Sequence, residues 1–347
     1  MQKAVFDKFS FLAFYMSLLV VGIHLSVDVF YNFDFDKPID KLIYNQIYFV
    51  RDALALIAVP AFFIKSGILF FANFTLKDYF KKIKRRFFSI FIPFCVWNLL
   101  CYFFNLAICN FPLTAKFVQN RSVDFGVSEF FGAMFLYTNN PVNWFLFQLM
   151  FFAIISPVFY YLAKNVYIAG FVIIACLCNF ACVNEFFGRF YLQYLPTAFG
   201  AYLFGVAIGV HYKNALNYIY KASTVTISWV FFAIFLATIF YIKTHNGIII
   251  SPQFSIIGAI ICLWVGMSRV QITPKWWYGA SFIIYESQVI VASSILKVIL
   301  ILLPKNSFCA AVNFYATIAL SALVGIFIFR ITKKYSPKVF ACLNGGR

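Results

Sequence analysis

Charge is scarce in this sequence: 11% of its 347 residues are charged, against about 25% in an ordinary soluble domain. What remains is 63% hydrophobic and 22% aromatic, with a mean hydropathy of +0.87. That balance excludes a water-soluble globular domain and points to a chain crossing a bilayer several times. Acids are scarcer still, 11 against 28 Lys and Arg, for a net charge of +17. In a soluble protein such an excess would suggest nucleic acid; here no nucleic-acid partner is expected, because the bases flank apolar runs.

The signatures of several chemistries are also missing. There is no GxGxxG, P-loop, HExxH or nucleophile elbow, which argues against dinucleotide binding, a nucleotide-driven pump, a zinc hydrolase and a serine hydrolase of the α/β type. His24 and Asp28 are too close in sequence for the HxxxxD box of glycerolipid acyltransferases. Nine cysteines are present, but none forms a CxxC pair with a histidine partner, so no metal is expected. Cys95, Cys101, Cys109, Cys176, Cys178, Cys182, Cys262 and Cys309 fall in or beside apolar segments and read as small buried apolar residues. Internal repeats, low-complexity stretches and a soluble domain are not visible, so residues 1–347 read as one membrane domain.

A helical span needs roughly 20 mostly apolar residues. Ten segments qualify: 9–30, 53–73, 87–111, 143–163, 166–184, 191–211, 224–242, 252–267, 278–303 and 308–330. The first is too long for a signal-peptide core and has no small-residue cleavage site. The expected fold is therefore all-α, a polytopic transmembrane helical bundle. Its orientation follows from Thr75 to Ser89, a basic loop carrying six Lys and Arg between two apolar segments, since such loops stay cytoplasmic. Alternation then places both termini in the cytoplasm, with 18 basic residues inside, 8 outside and 2 within spans. The positive inner face matches attraction to an anionic inner leaflet. Two connections, Tyr31 to Asp52 and Pro112 to Val142, are long enough to meet an outer partner; the second contains FFGAMF, readable as a short interfacial helix. Asn120 to Ser122 fits a glycosylation acceptor, a match too short to carry weight.

Ionisable groups inside spans are expensive and each needs a reason. His24 is expected about 9 Å inside the outer end of the first helix, with Asp28 one turn further on the same face. A carboxylate there would hold the imidazole in one tautomer for general-base work. The plainer alternative is a histidine bonded to a neighbouring helix beside a solvated Asp28. Lys65 and Glu286 are expected at equal depth, about 12 Å from the inner face, as a structural ion pair before a substrate contact. Arg51 and Trp144 are further substrate-contact candidates, with an aromatic belt as the default for Trp144 and Trp97. Asn98, Asn143 and the run from Tyr285 to Gln288 add polar groups at span ends.

The order of segments resembles the membrane acyltransferase family 3. The matching stretches are FLAFYMSLLVVGIHLS at 11–26, IAVPAFFIKSGILFF at 57–71, KDYFKKIKRRFFSIFIPFCVWNLL at 77–100, NWFLFQLMFFAIISPVFYYL at 143–162 and SFIIYESQVIV at 281–291. The resemblance implies about ten spans in a bacterial plasma membrane. It also implies transfer of an acetyl or other short acyl group from acyl-CoA to a cell-surface polysaccharide or glycolipid hydroxyl. The family carries an Arg upstream of its first-helix His, both implicated in transfer; here that position is Ala13. Phe147-Gln148 stands where Arg-Asp is frequent, and Glu286-Ser287-Gln288 where a His is usual. Lys65, Arg51 or Glu286 would then supply charge from elsewhere.

On this reading His24, helped by Asp28, handles the acceptor hydroxyl. Lys81, Lys82, Lys84, Arg85 and Arg86 attract the phosphates of acyl-CoA, the donor substrate, with no permanently bound cofactor. The partners are acyl-CoA, a glycan or lipid-linked sugar, and the bilayer; homo-oligomerisation stays open. The alternatives are a flippase for a lipid-linked sugar, with His24, Lys65 and Glu286 lining its path, and an inactive scaffold of the same fold.

Overall fold

Apolar backbone in hydrocarbon must satisfy its own hydrogen bonds, and helices do so within one segment. The computed structural model, which describes residues 2–111, 123–178, 192, 194–245 and 251–346, is helical with no strand among the described residues. The α-helices in chain order are α1 Lys3–Ile23, α2 Pro38–Phe49, α3 Ala58–Phe71, α4 Tyr79–Arg86, α5 Ile92–Asn110, α6 Val127–Leu136, α7 Trp144–Ile154, α8 Ser156–Lys164, α9 Val166–Cys178, α10 Leu195–His211, α11 Ala222–Thr244, α12 Gln253–Gly266, α13 Ser281–Leu302, α14 Ser307–Tyr335 and α15 Pro337–Asn344.

Among the described residues, six helical stretches are long and apolar enough to span: Lys3–Val29, Pro38–Phe71, Leu76–Asn110, Ala222–Thr244, Trp276–Leu302 and Ser307–Tyr335. A seventh arises if Pro141–Ile154 and Ser156–Lys164 count as one, bent by 67°. Pro157 explains the bend, since it lacks an N–H and its ring crowds the carbonyl one turn back. The other three expected spans correspond to α9, α10 and α12, of 13, 17 and 14 residues. At 1.5 Å per residue α10 and α12 are shorter than a straight crossing of a hydrocarbon core about 30 Å thick, and α9 is described only as far as Cys178.

Two of the long stretches overshoot that thickness. Pro38–Phe71 has 34 residues and Leu76–Asn110 has 35, about 50 Å each. In each, a π-turn, Val50–Leu54 or Phe87–Phe91, joins a polar extension to the apolar part. The long connection expected from Tyr31 to Asp52 is thus mostly helix, begun by Pro38 in the first turn. The basic stretch read as a loop is the helix α4. FFGAMF does lie in a short helix, α6. Asn120 to Ser122 and Cys182 lie outside the described residues.

The closest helix contact is between α3 and α10, and glycine makes it possible. A Cβ on Gly205 would sit 2.1 Å from the Ile64 carbonyl oxygen, and one on Gly67 2.5 Å from that of Tyr202. Small residues let backbones approach where no hydrophobic drive separates lipid from protein. Around this seam pack Phe63, Phe145, Phe152, Phe159 and Tyr202, all buried. Trp97 is buried as well and its Nε1 donates to Leu343 O at 2.9 Å, so it is a core anchor, not a belt residue. Cys95, Cys101 and Cys309 are buried as expected, but Cys178 is exposed.

Candidate functional site

The first helix ends one residue before His24, which is its C-cap, and the chain turns into a single 3-10 turn, Val27–Val29. His24 and Asp28 therefore do not share a helical face. Asp28 instead accepts from Arg51 Nη1 at 2.6 Å, and Arg51 Nε donates to Asp52 Oδ2 at 2.6 Å. Hydrophobic periodicity ran on past Ile23, so nothing along the sequence marked the break. The Arg51 side chain is only 12% exposed and pairs with two carboxylates, so it acts as a clamp. It fixes the turn after His24 to the π-turn that leads into α3. A further strap, Asn32 N to Lys305 O at 3.2 Å, holds the same segment against the start of α14.

His24 itself is exposed into a cavity of about 410 Å³. Its walls come from the same end of several helices: Ile23 and His24, Val59 and Pro60 of α3, Trp144 of α7, Tyr194 and Thr197 at the start of α10, Lys243 of α11 and Gln253 of α12. Trp144 thus belongs to the cavity wall, with its ring 5.5 Å from Tyr194 and 6.1 Å from Phe63. Tyr194, Thr197, Lys243 and Gln253 were not singled out in the sequence. Thr197 stood out only as a hydroxyl inside an apolar run, and Lys243 only as an end-of-span base.

Next to Trp144 of that wall, Asn143 gathers a polar cluster. Asn143 sits 3.0 and 3.1 Å from the two Glu286 carboxylate oxygens, 2.9 Å from Asn140 Nδ2 and 2.7 Å from the Asn98 side chain, with its amide NH2 turned to the carboxylate. Tyr285 donates to Val142 O, and Asn98 Nδ2 donates to Met134 O at 3.2 Å. Glu286, Asn143 and Asn98 are fully buried. Equal depth suggested Lys65 as the partner of Glu286; the Glu286 carboxylate bonds Asn143, and Lys65 Nζ donates to Phe9 O at 3.2 Å.

Lys65 also shares a cavity with a second residue singled out in the sequence. It and Arg86 line one cavity of about 210 Å³, together with Ala13, Ser66, Ser281 and Tyr285. The five basic residues expected to act together divide into two sets. Lys81, Lys84 and Arg85 are exposed, whereas Lys82 donates to Phe70 O and Arg86 stacks over Phe70 at 5.3 Å.

A family model for the acyltransferase family 3 domain matches residues 16–331. The chain belongs to this family. It is accordingly an integral-membrane acyltransferase. No curated protein and no solved structure matches it. Within the acyltransferase, Ala13 lies on the wall of a cavity that Lys65 of α3 also lines. Phe147 packs against Phe94 and Tyr137 at 6.2 and 5.5 Å, and Gln148 is fully buried.

Proposed function

We propose that this acyltransferase moves an acetyl or similarly short acyl group from acyl-CoA to a hydroxyl of a cell-surface glycan or glycolipid, in the plasma membrane of a bacterium. The observation that carries the reading is His24 on the wall of a 410 Å³ cavity, at the opposite end of its helix-bundle neighbours from the basic helix α4. The positive-inside rule makes the basic end cytoplasmic, where acyl-CoA is found, and the His24 end external. An imidazole nitrogen of His24 takes the proton of the acceptor hydroxyl as its oxygen bonds to the acyl carbon. The thioester C–S bond breaks, and CoA leaves as the thiolate, which the proton neutralises to the thiol. Asp28 does not orient the imidazole directly; through Arg51 it holds the turn that carries it.

On the donor side, Lys65 and Arg86 on the 210 Å³ cavity support contact with an anionic donor, and the exposed Lys81, Lys84 and Arg85 support its capture from solution. Positioned cations of this kind recognise phosphate well.

The test is mass spectrometry of acyl groups on cell-surface glycans in deletion, wild-type and His24→Ala strains at matched protein levels. One acyl mass should vanish on deletion and fall by at least about a hundredfold with His24→Ala. A His24→Ala protein that accumulates normally and keeps full transfer removes the role given to His24. Unchanged acyl content with lipid-linked intermediates building up inside replaces the whole reading with that of a flippase.

A further inference from the structure

The His24 cavity has two cations near it, and they are in opposite states. Arg51 is closed off between Asp28 and Asp52. Lys243, in the last turn of α11, is exposed, lines the cavity, and has no carboxylate within 4.0 Å among the described residues. A lysine at a helix C-terminus alone would signify little, because the helix dipole already favours one there. Two other features of the same wall point to a ligand. Trp144 and Tyr194 hold their rings 5.5 Å apart and tilted at 59°, an apolar platform beside polar groups. Thr197 is 9% exposed, and its buried hydroxyl has no hydrogen-bond partner among the described residues. Buried hydroxyls are normally paired, so a single orphan on a cavity wall is a group waiting for one.

The geometry points to an anionic sugar as the occupant: Lys243 pairs with its carboxylate or phosphate, the Trp144 and Tyr194 rings pack against its C–H face, and Thr197 and Gln253 bond its hydroxyls. This inference rests on the cavity being the acceptor site, and it narrows the acceptor from any glycan to one carrying negative charge next to the acylated ring. The cavity volume of about 410 Å³ suits one sugar with its charged group, at the small end of ligand pockets.

The test uses the full chain in nanodiscs and ligand-observed NMR titration with D-glucuronate, D-glucose 1-phosphate and D-glucose. The wild type should bind at least one anionic sugar about tenfold more tightly than glucose at low salt. Lys243→Gln should erase that preference while leaving glucose binding unchanged, and Lys243→Arg should keep it. Thr197→Val should weaken all three sugars alike. The carboxylate and phosphate arms separate the two sources of charge. A wild type without preference for charge, or a Lys243→Gln protein that retains it, overturns the proposal even if glycan acylation is intact. The charge preference without any acyl change on deletion leaves the anionic-sugar site standing and overturns the acyltransferase assignment of the cavity.

Discussion

The two helical extensions, Pro38 to Leu54 at the His24 end and Leu76 to Phe91 at the basic end, are built alike and charged differently. Each runs through a π-turn into an apolar helix. In the first, the charges nearest the site are partnered: Arg51 with Asp28 and Asp52, and Asp40 with the Ser307 hydroxyl at 2.6 Å, with Lys37 and Asp34 paired at 3.0 Å just before it, while Lys41 makes no ion pair among the described residues. In the second, Lys82 and Arg86 rest on the Phe70 ring and four further bases, Lys77, Lys81, Lys84 and Arg85, face outward. Matched charge fixes geometry, since breaking a saturated pair strands its partners. Unmatched charge is available to a ligand. The first extension therefore positions the site, and the second recruits to it.

The comparison breaks most visibly at Arg51. Arg51→Ala leaves Asp28 and Asp52 without their cation and should cost about 3 kcal/mol or more, read as a lowered melting temperature in detergent, with transfer lost as the His24 turn loosens. Retained stability together with full transfer would show that the triad positions nothing. Next in size is Lys65→Met, which should raise KM for acyl-CoA about tenfold by removing a positioned cation, with melting little changed; an unchanged KM would detach the 210 Å³ cavity from the donor. The smallest effect belongs to the exposed bases. Replacing Lys81, Lys84 and Arg85 by Gln, with Lys77, Lys82 and Arg86 kept to preserve orientation, should not shift melting. It should raise donor KM about twofold to threefold at low salt and not at high salt, because exposed charge acts over a Debye length of about 10 Å at 0.1 M. A salt-independent KM in both proteins would remove α4 from donor capture.

Much of the site was visible in the sequence as a set of residues but not as a set of partners. His24, Trp144, Lys65 and Arg86 each line a cavity. Asp28 and Arg51 were both singled out, yet their union was not, because helical spacing tied Asp28 to His24 and the helix stops between them. Glu286, Asn98 and Asn143 were all noted as polar groups at span ends, and they meet. Depth along a helix gives one coordinate; which neighbour a side chain faces depends on rotation about the axis, which apolar composition on every side leaves undetermined. For the same reason Thr197 was visible only as a hydroxyl in an apolar run and Lys243 only as an end-of-span base.

Composition and motif order alone determined that this chain is a helical membrane protein of the acyltransferase family 3, because hydropathy and basic-residue placement add along the chain and need no knowledge of packing. Only the tertiary structure decided where α1 ends, that Arg51 belongs to Asp28 and Asp52, that Asn143 holds Glu286, and that one lysine among the bases faces the His24 cavity. Those outcomes depend on how closely helices approach and at what rotation, and in this bundle that is set by contacts such as Gly205 against the Ile64 carbonyl, where the absence of a side chain fixes the distance between two backbones.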